Sequence, residues 1–183
     1  MGRGVEIGAG DDEAPVGVVG EVNGGWKVAM ATLGFERGTA FMAQQMAFER
    51  EWRTVADIAH KNGASDDPVI RDRLARAFTG VKVMAYNGMR MQTALARTGV
   101  VGPEASIGKL YWSTWHRNLG ELAMDILGPA GQIVPAAGDG EYVLDDVQRS
   151  YMFSRSETIY AGSSEIQRNI IGERVLGLPR EPK

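Results

Sequence analysis

Cysteine is absent from this sequence of 183 residues, so disulfides, thiolate metal ligands and cysteine nucleophiles are excluded. The absence is compatible with a reducing cytoplasm, where we expect the protein to be located. No apolar run approaches the roughly 20 residues that a membrane-spanning helix requires, which predicts no membrane span. Residues 1–15 lack the apolar core of a secretory signal. A net charge of −3 argues against nucleic acid as a partner.

The composition is typical of a folded domain and not of a disordered chain. Hydrophobic residues make up 44% of the sequence and charged residues 23%. The length of 183 residues corresponds to about one domain at roughly 100–200 residues each. We expect residues 1–24 to form a flexible, glycine-rich lead-in and residues 25–183 to form the domain. Residues 16–26 are expected to form a short strand that runs into a turn.

Three long stretches carry apolar residues at helical spacing. The first runs from about residue 25 to residue 61 and ends at Asn62-Gly63. The second begins at Asp67, a good N-cap, with Pro68 in the first turn, and ends at Gly99. Its apolar and small residues recur every three or four positions, at Ile70, Leu74, Ala77, Val81, Met84, Gly88, Met91 and Leu95.

The third stretch begins at Pro103 and ends before Gly128, with its large residues at Trp112, Trp115, Leu119, Leu122 and Ile126. Shorter helices are predicted over residues 146–155 and from Ser164, which forms the spacing of a capping box with Gln167. Long helices joined by short turns, each with one apolar face, predict an all-α antiparallel up-and-down helical bundle with almost no strand.

Few residues have the spacing of a known catalytic or metal site. His60 and His116 lie in no metal-ligand pattern, so we expect both to be ordinary helix residues. The glycines of residues 2–10 precede no helix at the spacing of a dinucleotide-binding loop, and no phosphate-binding loop or nucleophile elbow is present. These observations exclude zinc-dependent peptidases and P-loop enzymes.

Two segments are candidates for a catalytic or ligand-binding role. Arg37 falls in the apolar stripe of the first helix next to Glu36, where a charge is costly unless it is paired. The pair is either solvated beside the bundle or functional. In residues 157–168, small residues lead into a helix N-terminus, whose N–H groups can bind an anion or an oxyanion. The alternative is a capped helix start with no further role.

Three segments together resemble flavin-dependent acyl-CoA dehydrogenases. Residues 160–168, YAGSSEIQR, resemble the family's signature turn, and residues 33–37, LGFER, resemble the start of the long helix that opens its C-terminal domain. Residues 125–131, DILGPAG, resemble a glycine turn of the family. The resemblance runs from about residue 16 to the C-terminus. It implies the C-terminal helical domain, preceded by a remnant of the β-domain exit.

The resemblance implies α,β-dehydrogenation of an acyl-CoA thioester, in which a carboxylate takes the α-proton and FAD accepts a hydride. Most members place that carboxylate in the signature turn, where this chain has Ala161. Members similar to isovaleryl- and long-chain acyl-CoA dehydrogenases place it on the long helix, at the position of Glu36, with Arg37 orienting it. The Ala161 amide would hold the thioester oxygen, and Gly34 and Gly162 would contact the substrate.

The resemblance also implies cofactor contacts. Ser163, Ser164 and Glu165 would face FAD, whereas a second group would contact the FAD of a neighbouring subunit. This second group comprises Asp125, Ile126, Leu127, Gly128 and Pro129. The arginine that the family places after the first long helix is absent from residues 62–67, and Asp125 replaces the usual glutamine. Both differences affect the part of the FAD site that lies across the subunit boundary. Because the chain as given lacks the β-domain that the family uses to hold the flavin, we expect it to bind FAD weakly or not at all by itself and to show no turnover.

The expected partners are an acyl-CoA substrate and further subunits, in a homodimer, a homotetramer or a heterotetramer with a second dehydrogenase subunit. A different function is also compatible with the missing arginine and with Asp125. In this alternative the chain is a non-catalytic assembly subunit or module of a heteromeric acyl-CoA dehydrogenase.

Overall fold

The computed structural model describes residues 19–36, 40–99, 102, 105–134 and 143–180, with the backbone alone for 33–36 and 40–43. These residues contain α-helices and no strand, which confirms the all-α fold. Short 3₁₀ helices follow α2 and α4, and a π-helix over Ile171–Val175 extends the last α-helix. The α-helices are α1 (Gly25–Glu36), α2 (Ala40–Lys61), α3 (Pro68–Thr98), α4 (Ala105–Leu127), α5 (Asp146–Ser156) and α6 (Ser164–Ile170).

Hydrogen bonds between helices show that α2 and α3 run in opposite directions. Gln45, early in α2, donates from Nε2 to the Met84 carbonyl at 2.6 Å. Later in α2, the Trp52 indole donates to the Leu74 carbonyl at 3.0 Å. Residue numbers that rise along one helix while they fall along the other are the signature of an antiparallel pair.

Helices α3 and α4 also run in opposite directions. The Trp115 indole donates to the Ala77 carbonyl at 2.9 Å, and further along α4 Asp125 pairs with Arg73 at 2.7 Å. Helix α4 also packs on α2 and α5. It is therefore the central element of the bundle, and the groups that it presents reach several neighbours.

The core lies between α2, α3 and α4. Phe48 contacts the rings of both Trp112 and Trp115, with centroid distances of 5.8 and 5.2 Å. The predicted stripes of the second and third stretches supply most of this core. Its buried members are Phe48, Val55, Ala59, Leu74, Val81, Met84, Trp112, Trp115, Leu119, Leu122, Ala123 and Ile126.

The boundaries of α3 agree with the prediction. The Asp67 carboxylate accepts from the Val69 amide at 2.7 Å, and Pro68 occupies the first turn. Gly99 ends the helix with φ 69°, a left-handed conformation that glycine adopts without a steric penalty. The start of the third stretch at Pro103 lies outside the described residues.

One local prediction is wrong and two are only partly described. Residues 19–24 contain bends and turns, which fits the turn predicted there, whereas residues 16–18, where the predicted strand begins, lie outside the described residues. Ser164 is the first residue of α6 and not its cap, because the N-cap is Ser163 and no side chain caps the helix. The predicted helix over residues 25–61 corresponds to α1 and α2, and residues 37–39 between them lie outside the described residues.

Candidate functional site

The turn of residues 157–163 connects α5 to α6 and has an unusual backbone. Ala161 has φ 52° and Gly162 has φ 93°, both in the left-handed region. Glycine adopts this region readily, whereas alanine is disfavoured there by contact between its Cβ and the following carbonyl. A Cβ at position 162 would also press against the side-chain amide of Gln167. The turn therefore needs contacts from outside to keep its conformation.

Neighbouring side chains hold the carbonyls of this turn. Gln167 donates from Nε2 to the Ala161 carbonyl at 2.9 Å, and Lys109 donates from Nζ to the Gly162 carbonyl at 2.7 Å. The Ala161 amide has no acceptor among the described residues, whereas the amides of Ile159 and Tyr160 both donate to the Ser156 carbonyl. The turn thus offers an N–H group that remains available for a ligand.

Lys109 makes a second contact with the turn. Its Nζ also donates to the Glu157 carbonyl, at 2.8 Å, so that one ammonium group joins both ends of the turn. The residue lies on α4 and is only 4% exposed. Burial lowers the pKa of Lys109, while the charges of Glu157 and Glu165 act in the opposite direction. We call the ammonium of Lys109 with the carbonyls of Glu157 and Gly162 the carbonyl clamp.

A buried ionic cluster lies next to the clamp. His116, which is 4% exposed, contacts Glu157 through Nδ1 at 2.5 Å and Glu51 through Nε2 at 2.6 Å. Ser150 lies 2.9 Å from the same Nε2 and donates to Glu51 at 3.1 Å. Because these residues come from α2, α4, α5 and the 157–163 turn, the cluster joins four parts of the bundle. We call Glu51, His116 and Glu157 the histidine bridge.

His116 carries a positive charge at neutral pH. Burial by itself lowers its pKa, but the hydrogen bonds to Glu157 and Glu51 and the charges of both carboxylates outweigh burial and raise the pKa to about 9. Both ring nitrogens then donate hydrogen bonds. Burial and the nearby Glu157 carboxylate also raise the pKa of Tyr160 to about 12.

Ser150, His116 and Glu157 have the order of a hydrolytic triad, but their surroundings prevent that chemistry. Glu51 binds the same imidazole nitrogen that faces Ser150, and a protonated His116 has no lone pair with which to accept the serine proton. Ser150 also lies within α5, where backbone amides bond to the preceding helical turn and form no oxyanion hole. The cluster is a structural bridge.

A cleft of about 520 Å³ opens between α2, α4 and α5. Glu51, His116 and Ser150 line it together with apolar side chains such as Leu119 and Phe153. No residue of the 157–163 turn lines this cleft. The histidine bridge therefore extends from the cleft wall, through the bundle interior, to the turn.

The predicted catalytic pair lies at the edge of the described structure. Glu36 is the last residue of α1, and Gly34 lies in the same helix. Only the backbone is described at these two positions, so the Glu36 side chain and all of Arg37 lie outside the described residues. Their roles as base, substrate contact and orienting group stay predictions.

The second predicted cofactor group lies at the opposite end of α4 from the clamp. Roughly 24 Å of helix separates Lys109 from Asp125, at about 1.5 Å per residue. Asp125 is exposed and pairs with Arg73. Ile126 is buried in the core, and Leu127 is the last residue of α4.

Two further residues of this group continue the chain beyond α4. Gly128 has φ 56° and begins the 3₁₀ helix in which Pro129 lies. The structure therefore does not bring this group and the 157–163 turn together within one chain. A cofactor contact from this end of α4 would involve a different copy or partner of the chain, as the resemblance implies.

The predicted contacts at the start of α6 are partly accessible. Ser163 and Ser164 are half-buried, and neither hydroxyl caps the helix. Glu165 is exposed, and the pKa of its carboxyl is lowered, first by its own amide and then by the Ser163 hydroxyl. The hydroxyl and amide groups here suit a polar ligand, whereas the Glu165 carboxylate opposes a phosphate.

The clamp and the histidine bridge were not predicted from the sequence. His116 was expected to be an ordinary helix residue, yet its side chain bridges two carboxylates. A signal was present, since Lys109, Trp112, His116 and Leu119 follow each other at helical spacing on the buried face of α4. Two ionisable residues within an apolar stripe indicate buried partners. Their identity depends on the tertiary structure.

Within the part of the chain that the structure describes, no helix is long and apolar enough to cross a membrane. Over the same residues, no group of histidine and acidic side chains has the arrangement of a metal site. The histidine bridge is thus held by protons and hydrogen bonds, and its imidazole nitrogens are both occupied by protein partners.

Comparison with known proteins gives consistent results. A family model described as "Acyl-CoA dehydrogenase, C-terminal domain" matches residues 23–176. Acyl-CoA dehydrogenase IpdE1 from Mycobacterium tuberculosis is 51% identical over 168 residues, which cover 91% of this chain and 41% of that protein. The chain therefore spans well under half the length of this relative.

Solved structures with the same fold are also known. The structure described as "Tcur3481-Tcur3483 steroid ACAD" has a TM-score of 0.77 and 30% identity, covering 92% of this chain and 44% of that chain. The ChsE4-ChsE5 complex from Mycobacterium tuberculosis has a TM-score of 0.70 and 25% identity, covering 88% and 43% respectively. Both descriptions name assemblies of two different components.

Proposed function

Since the chain belongs to the acyl-CoA dehydrogenase family, with residues 23–176 matching its C-terminal domain, we propose that it takes part in α,β-dehydrogenation of an acyl-CoA thioester. The observation that supports this function best is the Ala161 amide, which meets no acceptor among the described residues while the carbonyls beside it are held. A fixed N–H group stabilises the negative charge that develops on a thioester oxygen during removal of the α-proton.

Proton abstraction requires a carboxylate that Ala161 cannot supply. We assign that role to Glu36 at the end of α1, with Arg37 orienting the carboxylate and Gly34 and Gly162 contacting the substrate. A base that works on a weak carbon acid needs a proton affinity near the working pH, which desolvation by the bound acyl chain provides. In this proposal α1 supplies the base, and the 157–163 turn supplies the hydrogen-bond donor for the oxyanion.

The described residues fit a polar part of FAD in two places. Ser163 and Ser164 offer hydroxyls that no helix cap uses. At the other end of α4, the Asp125 carboxylate is neutralised by Arg73, which reduces its repulsion of a neighbouring phosphate group. When bound, FAD accepts the hydride that leaves the β-carbon. We propose Ser163, Ser164 and Glu165 as contacts within one chain, and residues 125–129 as contacts across a subunit boundary.

The relatives support a proposal for the substrate and the assembly. The structure named a steroid ACAD is 30% identical to this chain, and Ala161 leaves more space in the turn than a glutamate would. We therefore propose a bulky acyl group and a heterotetramer with a second dehydrogenase subunit. The cytoplasmic location, which rests on the absence of cysteine, stays a prediction.

The decisive experiment replaces Glu36 by glutamine in the complete enzyme. Glu36→Gln keeps the size of the side chain and removes the base, so we expect kcat to fall by about 10³-fold or more while acyl-CoA still binds. The measurement is flavin reduction by acyl-CoA in a stopped-flow experiment. Glu121→Gln, which removes an exposed carboxylate on α4, is the matched control and should retain activity.

An assembly role is the second candidate, and one observation favours it. Residues 62–67, where the family places a cofactor-binding arginine, are used for internal contacts, since Asn62 donates to the Ile126 carbonyl at 2.8 Å and Asp67 caps α3. In this case the chain would co-purify with a complete dehydrogenase subunit, and Glu36→Gln would leave turnover unchanged. That result would exclude the catalytic role.

A further inference from the structure

We propose that Lys109 is a positioning residue that fixes the Ala161 amide through the carbonyl clamp. The inference rests on the proposed function, because it assigns that amide to the thioester oxygen. It concerns a residue on α4 that reaches the turn through main-chain atoms alone.

The clamp spans the turn around Ala161. Lys109 Nζ lies 2.8 Å from the Glu157 carbonyl and 2.7 Å from the Gly162 carbonyl, and Ala161 lies between these two positions in the chain. One ammonium group bonded to both carbonyls fixes the distance between them. Gln167 holds the intervening Ala161 carbonyl at 2.9 Å, so successive peptide groups next to the free amide are held in place.

The charge of Lys109 makes the clamp strong. No carboxylate lies within ion-pair distance of its ammonium among the described residues, and the Trp112 ring centroid lies 6.0 Å away. A buried ammonium is costly unless it is hydrogen-bonded, and hydrogen bonds from a charged donor are roughly twice as strong as neutral ones. Release of either carbonyl would leave this charge partly unsatisfied, so the folded state retains both contacts.

The other side of the clamp is anchored. Glu157 is held twice, through its carbonyl by Lys109 and through its carboxylate by His116. The Tyr160 hydroxyl lies 3.5 Å from the same carboxylate. Lys109 therefore holds Gly162 against a fixed point. Without it, the Gly162 carbonyl would keep only the 3.5 Å contact from Gln167 Nε2, and no described contact would tie Gly162 to Glu157 across the left-handed Ala161.

The test compares Lys109→Met, Lys109→Arg and the matched control Lys61→Met, which removes an exposed lysine at the end of α2. Hydrogen exchange is measured at the amides of Ile159 and Tyr160, which donate to the Ser156 carbonyl. Lys109→Met should speed their exchange by about tenfold or more, and Lys109→Arg should restore part of the protection. The Gln148 amide, in the cap of α5, is the internal reference.

Kinetics in the complete enzyme provide the second readout. The oxyanion develops only in the transition state, so Lys109→Met should lower kcat by about tenfold and change KM less. Lys61→Met should change neither. If Lys109→Met does not fold, Lys109→Gln, which reaches the carbonyls with a neutral donor, is judged by the same criteria.

The outcomes separate this inference from the proposed function. Unchanged exchange at Ile159 and Tyr160 in an enzyme that dehydrogenates acyl-CoA would overturn the positioning role alone. Faster exchange in Lys109→Met, with no dehydrogenation by the complete wild-type enzyme, would overturn the proposed function and leave the clamp. Faster exchange together with a lower kcat and partial rescue by arginine would support both.

Discussion

Helix α4 carries a buried ionic bridge at its middle and an exposed ion pair in its last turn, and the two differ in burial more than in distance. At the middle of the helix His116 lies 2.5 and 2.6 Å from two carboxylates and is 4% exposed. In the last turn Asp125 lies 2.7 Å from Arg73, and their side chains are 58% and 35% exposed. Water surrounds the second pair, whereas at the bridge it reaches Glu51, which is 36% exposed, but is almost excluded from His116 and Glu157.

This difference determines what each pair contributes. An exposed pair gains little, because water screens the attraction and two long side chains lose freedom. A buried bridge is costly to break on one side, because the remaining partner keeps its charge without solvent. Similar distances therefore imply different consequences, and the following experiments test that contrast.

The largest effect is expected for His116→Ala. The Glu157 carboxylate would stay buried without its imidazolium, which should reduce the free energy of unfolding by about 3–5 kcal/mol. Equilibrium urea unfolding followed by circular dichroism measures this loss. The double variant His116→Leu with Glu157→Met removes both buried charges and should be more stable than His116→Ala. A loss below about 1 kcal/mol would mean that the bridge behaves like a surface pair.

Raising the pH is expected to have a smaller effect on the free energy of unfolding. The pKa of His116 is raised from 6.5 to about 9 in the folded state. The bridge therefore contributes its full stability below about pH 6.5 and loses it as the pH rises through about 9. We expect the stability difference between the wild type and His116→Ala to shrink over that window.

Subtracting the free energy of unfolding of His116→Ala from that of the wild type cancels the contribution of Lys109, because both proteins contain this residue. The pKa of Lys109 is lowered by burial, so its own effect on stability has the opposite sign. Urea unfolding of both proteins at a series of pH values measures how this stability difference depends on pH. A difference that is constant from pH 6 to pH 10 would contradict a charged His116.

The smallest effect is expected for Asp125→Asn. Removing one partner of the exposed pair should change the free energy of unfolding by less than about 1 kcal/mol, and added salt should reduce even that. The same urea experiment at low and high salt provides the measurement. A loss as large as that of His116→Ala would remove the contrast between the buried bridge and the exposed pair.

The sequence predicts α3 better than any other helix, for a physical reason. Its ends depend on local groups, namely the Asp67 carboxylate, the Pro68 ring and the flexible backbone of Gly99. Its buried face follows from helical spacing alone, as the burial of Leu74 and Met84 shows. Both signals lie within a few residues of each other, so no tertiary information is needed.

The start of α6 shows where local reasoning fails. Ser164 and Gln167 have the spacing of a capping box, which predicts a bond from Gln167 back to the helix start. In the structure Gln167 is fully buried and donates to the Ala161 carbonyl instead. The left-handed turn brings that carbonyl within reach, and spacing along the chain does not reveal this.

One part of the candidate site can also be predicted from local sequence, whereas the other part depends on tertiary structure. The signature turn is read directly from residues 160–168, whereas its support by Lys109 and His116 depends on residues about fifty positions away in sequence. Each of those residues could be recognised as unusual on an apolar helix face. Only the packing of α4 against α5 reveals which groups they meet.

The lysine on α4 recognises peptide groups and no side chain of the turn. Ile159 is 70% exposed, so its side chain is no part of the anchoring. Substitutions at this exposed position should therefore leave the backbone geometry of the turn unchanged. The turn thus combines an anchored main chain with a side chain that is free to vary.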